Sequence, residues 1–366
     1  MFTSSKQSCY HDGKWVGTAA RRVEEKSVRT APGGHESYSG ATAAAAGPPV
    51  FAALDLGTNN CRLLIAEPAR HGTFRIVDAF SRIVRLGEGI ASQGRIAEAA
   101  IERTLDALQV CAGRMRRRRV THIRAIATEA CRRASNGGEF LTRALAETGI
   151  ALEVISPAEE ARLAVAGCTP LLDPDRRRAL VFDIGGGSTE LAWLSVTGPD
   201  RATMLDWISL PLGVVTLAER FGGVEVDDRL YGVMVAEVRK ALAPFEAKYV
   251  AGDAARDHGF QLLGTSGTVT TLAAVRMNLP RYDRARVDGS WLTRVEIDKV
   301  IADIRAMPFE GRAANPCIGH DRADLVLAGC AILEAILDAW PEKRLRIADR
   351  GLREGVLMGL MAGVMS

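Results

Sequence analysis

Val50-Phe51-Ala52-Ala53-Leu54-Asp55-Leu56-Gly57-Thr58-Asn59-Asn60-Cys61-Arg62-Leu63-Leu64 is echoed later in the chain by Leu180-Val181-Phe182-Asp183-Ile184-Gly185-Gly186-Gly187-Ser188-Thr189-Glu190-Leu191. Each stretch is an apolar run, then Asp, an aliphatic residue and Gly, then small polar residues, then a charged residue and further apolar ones. The pattern reads as strand, tight turn, strand, and it occurs twice. Glycine suits a turn where backbone must come close to another group, and successive N–H groups in such a turn form an anion-binding concavity. Two such turns, each headed by an aspartate at a strand end, point to a cleft for a polyanion with a divalent cation. A third run, Leu262-Leu263-Gly264-Thr265-Ser266-Gly267-Thr268, breaks into small polar residues before a helical pattern. Ser266 and Gly267 there offer a helix N-terminus to an anion, while helix capping alone would also account for Ser266 and Thr268.

Outward from these motifs, the elements alternate. Strands are expected at 50–56, 61–67 and 73–84, then helix from Ile96 to Cys111, strand from Thr121 to Ala127, helix to Thr148, strand from Leu152 to Ile155, and a helix opening at Pro157. The second half repeats the order: strands at 179–184, 189–196 and 203–210, helices through Leu217 and from Val226 to Lys248, a strand at 260–264 and a helix from Ser266. Helices at 321–339 and 351–363 flank a strand at 344–348. This is an α/β class, with a mixed sheet and covering helices in each of two domains. Residues 1–48, rich in Ser, Gly, Ala and Pro, read as a disordered extension. Domain I is 49–172 and domain II is 173–366, with the C-terminal helix free to pack on domain I.

With 366 residues, 47% hydrophobic and 25% charged, the chain can bury two cores. A net charge of +3 argues for no nucleic-acid partner. The dense basic run Arg114 to Arg119 reads as a solvated helix end, or else as an attractor for a long anionic substrate. Seven scattered cysteines without a Cys-x-x-Cys pair suit a reducing, cytoplasmic setting, and the six histidines show no zinc spacing. No stretch reads as a membrane span or a secretion leader. A homodimer is an assembly the sequence leaves open.

Asp-Leu-Gly-Thr-Asn-Asn-Cys-Arg-Leu (55–63), Ala-Thr-Glu-Ala-Cys-Arg-Arg-Ala (127–134), Ile-Ser-Pro-Ala-Glu-Glu-Ala-Arg-Leu (155–163), Asp-Ile-Gly-Gly-Gly-Ser-Thr-Glu-Leu (183–191), Gly-Thr-Ser-Gly-Thr (264–268) and Gly-Leu-Arg-Glu-Gly-Val-Leu (351–357) together resemble the exopolyphosphatase and guanosine pentaphosphate phosphatase family. The resemblance runs in order from about Phe51 to the C-terminus and looks like the family's short, two-domain form. It implies two ribonuclease-H-like domains of the actin, Hsp70 and sugar-kinase type around a cleft. It also implies Mg²⁺-dependent hydrolysis of the terminal phosphoanhydride of inorganic polyphosphate or pppGpp.

By that resemblance, Glu129 positions or activates water, and Glu160 is a second carboxylate acting as base or metal partner. A first-turn glutamate favouring the helix dipole is the competing reading of Glu129. Phosphate contacts fall to Gly57, Thr58, Asn59, Arg62, Gly185, Gly186, Gly187, Ser188, Ser266, Gly267 and Arg322, with Arg132 and Arg133 as weaker candidates. Asp55, Asp183 and Glu190 are the metal-side carboxylates, Asp55 and Asp183 reaching the ion through water; closing their own turns is the competing role for those two. A nucleotide-dependent kinase or ATPase of the same superfamily, and a non-catalytic sensor of guanosine polyphosphates or polyphosphate, are the rival functions. The expectation common to all of this is that the two aspartate-headed turns oppose each other across one crevice, within reach of Glu129.

Overall fold

Every residue from Phe51 to Leu54 is buried, a strand with no exposed face. That burial follows from a sheet covered by helices on both sides, where polar alternation has no use. The computed structural model describes residues 9–11, 14–16, 48–69, 73–250 and 260–365. Two short strands, β1 (Cys9–His11) and β2 (Lys14–Val16), pair antiparallel within the segment read as a disordered extension. The rest of 1–47 lies outside the described residues.

The first large sheet is built from β3 (Phe51–Leu56), β4 (Asn60–Pro68), β5 (Phe74–Ile83), β6 (His122–Ala127) and β7 (Glu153–Val154), in the spatial order β5-β4-β3-β6-β7. β3, β4 and β5 form an antiparallel meander, and β6 and β7 add parallel on the other side of β3. β8 (Arg178–Ile184), β9 (Thr189–Gly198), β10 (Arg201–Leu210), β11 (Phe260–Thr265), β12 (Trp291–Thr293) and β13 (Arg344–Ala348) repeat the plan as β10-β9-β8-β11-β13-β12. The meander and the two parallel additions are the same, and β12 is an extra antiparallel edge on β13. The protein is therefore two ribonuclease-H-like units of the actin type.

β12 and the helices Arg284–Val287, Arg294–Ala306 and Phe309–Ala314 occupy a stretch to which the sequence patterns assign no elements. Pro280, Pro308 and Pro316 punctuate it, and Arg284–Val287 and Phe309–Ala314 are too short for periodicity to show, whereas the helix Arg294–Ala306, opened by the Thr293/Glu296 capping box, carried a signal that went unread. The helix expected at 321–339 divides into a short 3₁₀ turn, His320–Arg322, and the helix Val326–Ala339. The Arg114–Arg119 run ends the helix Glu98–Arg117, where Arg114 and Arg118 both hold Asp78 on β5, at 2.7 and 3.1 Å.

One face of each sheet is covered by helices of its own half, giving two separate cores. The other faces exchange helices. Val356, Leu357 and Met361 of the C-terminal helix Leu352–Met365 pack on Phe51, Ala53 and Leu64 of the first sheet. Val165 and Cys168 of the helix Pro157–Cys168 pack on Val181, Leu194 and Leu263 of the second. Where these two helices cross, glycine removes the side chain. A Cβ on Gly355 would lie 2.0 Å from the Leu163 carbonyl oxygen, and one on Gly167 would lie 1.9 Å from that of Gly351. The strand ends carrying the two repeated turns thus meet between the lobes.

Candidate active site

The two turns are closed by the same backbone bond. Gly57 N–H donates to the Asn60 carbonyl at 2.9 Å, and Gly185 N–H donates to that of Ser188 at 2.9 Å. The turns are thus held by main chain, which leaves the carboxylates of Asp55 and Asp183 for the cleft. In the antiparallel register Asp55 stands opposite Arg62 and Asp183 opposite Glu190, so each strand pair delivers two charged side chains at equivalent places. The closure also spends the Gly57 and Gly185 amides, so these two residues shape their loops and donate nothing to an anion. Among the described residues, the amides of Thr58, Asn59, Gly186 and Gly187 have no hydrogen-bond partner. The Asn59 and Asn60 side-chain oxygens are buried without one.

The loops touch. A Cβ on Gly186 would fall 3.0 Å from Thr58 Cβ and 3.1 Å from Asn59 N, and one on Gly187 would fall 2.6 Å from Thr58 Oγ1 and 3.0 Å from Glu129 Cγ. Gly186 and Gly187 are needed because the opposite loop and Glu129 press on them, a constraint the sequence pattern had suggested for a ligand. The twin turns therefore do oppose each other across one crevice, with Glu129 at its edge. Asp55, Thr58, Asn59, Arg62, Glu129, Glu160, Asp183, Ser188, Glu190, Ser266, Gly267 and Arg322, together with the turn glycines, all line that single cleft.

Glu129 opens the five-residue helix after β6, and Glu160 sits in the first turn of the helix Pro157–Cys168, which Ser156 caps through the Glu159 amide at 3.2 Å. Arg132 holds both glutamates. It donates to Glu129 Oε2 at 2.8 and 3.2 Å, to Glu160 Oε2 at 2.9 Å and to the Ile155 carbonyl at 2.7 Å. Arg133 lies 3.9 Å from Glu129 Oε1, so both Glu129 oxygens face guanidinium groups. Among the described residues, Glu160 Oε1 has no partner.

The carboxylates opposite are held in a medium that resists their charge. Burial, with Asp55 nearby, pushes Asp183 up to about 6, although Arg62 and the Ser266 hydroxyl hold it down. Burial and the neighbouring Asp183 push Glu190 to about 7, and Ser209 donates to its Oε1 at 2.7 Å. Burial and Glu190 raise Glu160 well above the ordinary range, and burial raises Asp55. Among the described residues, no three Asp, Glu, His or Cys side chains converge closely enough to ligate a metal directly. Buried carboxylates that repel one another suit a hard cation reached through water.

The arginines are the converse case. Arg62 has no hydrogen-bond or ion-pair partner among the described residues, and Arg322 has only the Thr271 hydroxyl, at 3.3 Å. Burial and Arg62 together lower the Arg322 pKa. The sequence reading used Arg353 and Glu354 only as part of the family-like run 351–357 and gave them, Asp349 and Arg350 no role in the site, yet all four line the cleft. Their signal was the Arg350-Gly351-Leu352-Arg353-Glu354 run at a helix start, two arginines spaced to leave a turn between them.

A model of the Ppx/GppA phosphatase family matches residues 64–363. A Ppx/GppA family member from Aquifex aeolicus is 31% identical over 87% of this chain and 99% of its own, with a TM-score of 0.71. An exopolyphosphatase from Cytophaga hutchinsonii is 26% identical over 86% of this chain and 98% of its own, with a TM-score of 0.77. Two ribonuclease-H-like lobes with paired aspartate-headed turns between them, and a family match over most of the length, make the chain a member of the Ppx/GppA phosphatase family.

Proposed function

We propose that this protein is an exopolyphosphatase-type hydrolase that releases terminal orthophosphate from inorganic polyphosphate, with pppGpp as a second substrate presenting the same anhydride. The observation that carries the reading is the pair of guanidinium groups without ion-pair partners among the described residues, Arg62 and Arg322, in one cleft with two amide-lined turns and a base-competent carboxylate. Guanidinium matches phosphate oxygens with two parallel donors, and these two line the cleft without an ion-pair partner among the described residues.

The free amides of Thr58, Asn59, Gly186 and Gly187 receive the terminal phosphoryl oxygens, with the Thr58, Asn59 and Ser188 side chains as further donors. A water oxygen forms a bond to phosphorus as the bond to the bridging oxygen breaks. The water's proton goes to a carboxylate, and the leaving chain departs one phosphate shorter. Glu160 is the better base than Glu129. Its Oε1 has no partner among the described residues, and burial together with the neighbouring Glu190 raises its proton affinity, whereas Glu129 is pinned by Arg132 and Arg133. Glu129 then positions Arg132 and closes the crevice beside Gly187. Mg²⁺ is the cofactor this reading implies, and Asp55, Asp183 and Glu190 are the residues that would hold it. When bound it supplies neutralisation of phosphoryl charge.

The test is orthophosphate release with Mg²⁺ from long-chain polyphosphate, tripolyphosphate, pppGpp and ATP in parallel, for the parent, Glu160→Gln and Glu129→Gln. Glu160→Gln should lose roughly 10²- to 10⁴-fold in kcat while still binding substrate, and Glu129→Gln distinctly less. The reverse ranking returns the water to Glu129. Transfer of the ATP γ-phosphoryl group to an added acceptor, with ADP released, would mark a kinase, and tight binding without turnover by the parent would mark a sensor.

A further inference from the structure

We propose that Arg353 completes a three-guanidinium subsite with Arg62 and Arg322 that grips the phosphate group next to the reacting one, so that the site demands at least two successive anionic groups. This rests on reading the cleft as a phosphoanhydride site.

Arg353 stands one residue into the C-terminal helix and lines the cleft. The charges around it are matched with one another. Arg350 pairs with Asp288, its Nε at 3.0 Å from Oδ2. Arg284 donates to Glu354 Oε1 at 2.6 Å and to the Asp349 carbonyl at 2.6 Å, and Tyr282 donates to Asp349 Oδ2 at 2.6 Å. Glu354 accepts the Gly351 amide at 2.9 Å, and Thr265 donates to the Arg350 carbonyl at 2.6 Å, which fixes the turn leading into the helix. Among the described residues, Arg353 alone in this group has neither a hydrogen bond nor an ion pair.

A buried guanidinium with no partner is costly, and a second cation nearby adds to the cost. Burial lowers the Arg353 pKa and Arg62 adds to it, while Glu354, Asp55 and Asp349 act the other way without hydrogen-bonding to it. Arg62 comes from the first sheet, Arg322 from the 3₁₀ turn before the helix Val326–Ala339, and Arg353 from the helix lying on the first sheet. Three elements therefore deliver three guanidinium groups to the cleft that also holds Asp55 and Asp183, and among the described residues none of the three has a hydrogen-bonded carboxylate. An anion bearing charge on adjacent phosphate groups offers acceptors to three guanidinium groups, more than the oxygens of a single orthophosphate can serve with paired contacts.

The experiment is calorimetric titration of the full chain with tripolyphosphate, pyrophosphate and orthophosphate in the presence of Mg²⁺, for the parent, Arg353→Met and Arg353→Lys. Arg353→Met should weaken tripolyphosphate and pyrophosphate by about tenfold or more, the loss of a charge-assisted contact, and leave orthophosphate within about twofold. Equal weakening of all three ligands, or none, overturns the proposal. If the Met variant fails to melt cooperatively, the Lys variant decides. Its loss of bidentate geometry should weaken tripolyphosphate about threefold with orthophosphate unchanged, and any other pattern overturns the proposal. Turnover of polyphosphate by the parent is measured separately, so that an inactive parent rejects the hydrolase reading while the binding ratios still judge the subsite.

Discussion

Ser266 holds φ 81° and ψ −175°, a region open in practice only to glycine. Its hydroxyl donates to the Ile184 carbonyl, and it also helps hold down the Asp183 carboxylate. Strain at a residue whose side chain serves the cleft has an evident test. Ser266→Gly should stabilise the protein by about 1–2 kcal/mol, read as a higher melting temperature, while turnover falls about tenfold as the hydroxyl beside Asp183 is lost. A variant both less stable and fully active would show that Ser266 is neither strained nor used. Asp183 and Glu190 give a second residue-scale expectation. Their folded pKa values, about 6 and about 7, lie above those of the unfolded chain. In the metal-free protein these groups therefore cost nothing in strong acid and destabilise as pH rises from about 4 through 7. The melting temperature of the chelator-treated protein should fall over that range, Glu190→Gln should flatten the fall, and Mg²⁺ should raise the melting temperature more at the upper end than at the lower.

Among the elements, the crossing of the helices Pro157–Cys168 and Leu352–Met365 controls how the lobes meet. At Gly355 an added methyl would strike the Leu163 carbonyl, a backbone atom that cannot swing aside. Gly359, one turn further along the same helix, is exposed and faces open space. Gly355→Ala should cost on the order of 3 kcal/mol, whereas Gly359→Ala should gain roughly 0.5–1 kcal/mol by restricting the unfolded chain. Paired denaturant titrations check this, and equal effects at the two positions would remove the crossing as a constraint. The same elements carry Glu160 and Arg353, so loosening the crossing should also lower activity.

For the molecule as a whole, one strap ties the lobes at the cleft's margin. Arg85 grips Asp324 with both terminal nitrogens, at 2.8 and 3.0 Å, and the Gly89 amide donates to Glu219 at 2.8 Å. The same segment holds the first loop, since the amides of Val84 and Gly87 donate to the carbonyls of Asn59 and Thr58. Opening the lobes therefore pulls on the loop that would receive phosphate, the usual logic of hinge closure around a ligand. Arg85→Ala should enlarge the radius of gyration of the ligand-free protein in solution scattering, and saturating tripolyphosphate should abolish the difference. Identical radii without ligand would show that the strap does not hold the lobes together.

The doubled strand-turn-strand pattern determined the two-lobed architecture, because a fully apolar run ending in Asp-x-Gly leaves few alternatives to a covered strand and a tight turn, and because local periodicity survives in sequence. It also named most of the cleft's lining, since the turns themselves carry Asp55, Thr58, Arg62, Asp183 and Glu190. Tertiary structure alone decided how those residues divide the work. Arg132 pins Glu129 and leaves one oxygen of Glu160 free, the glycines of the second loop are explained by the first loop, and Arg353 is left unpaired when its neighbours are matched. Pairing, burial and the approach of distant backbones depend on distances between elements far apart in the chain, and no spacing along a sequence encodes which charge will find a partner and which will not.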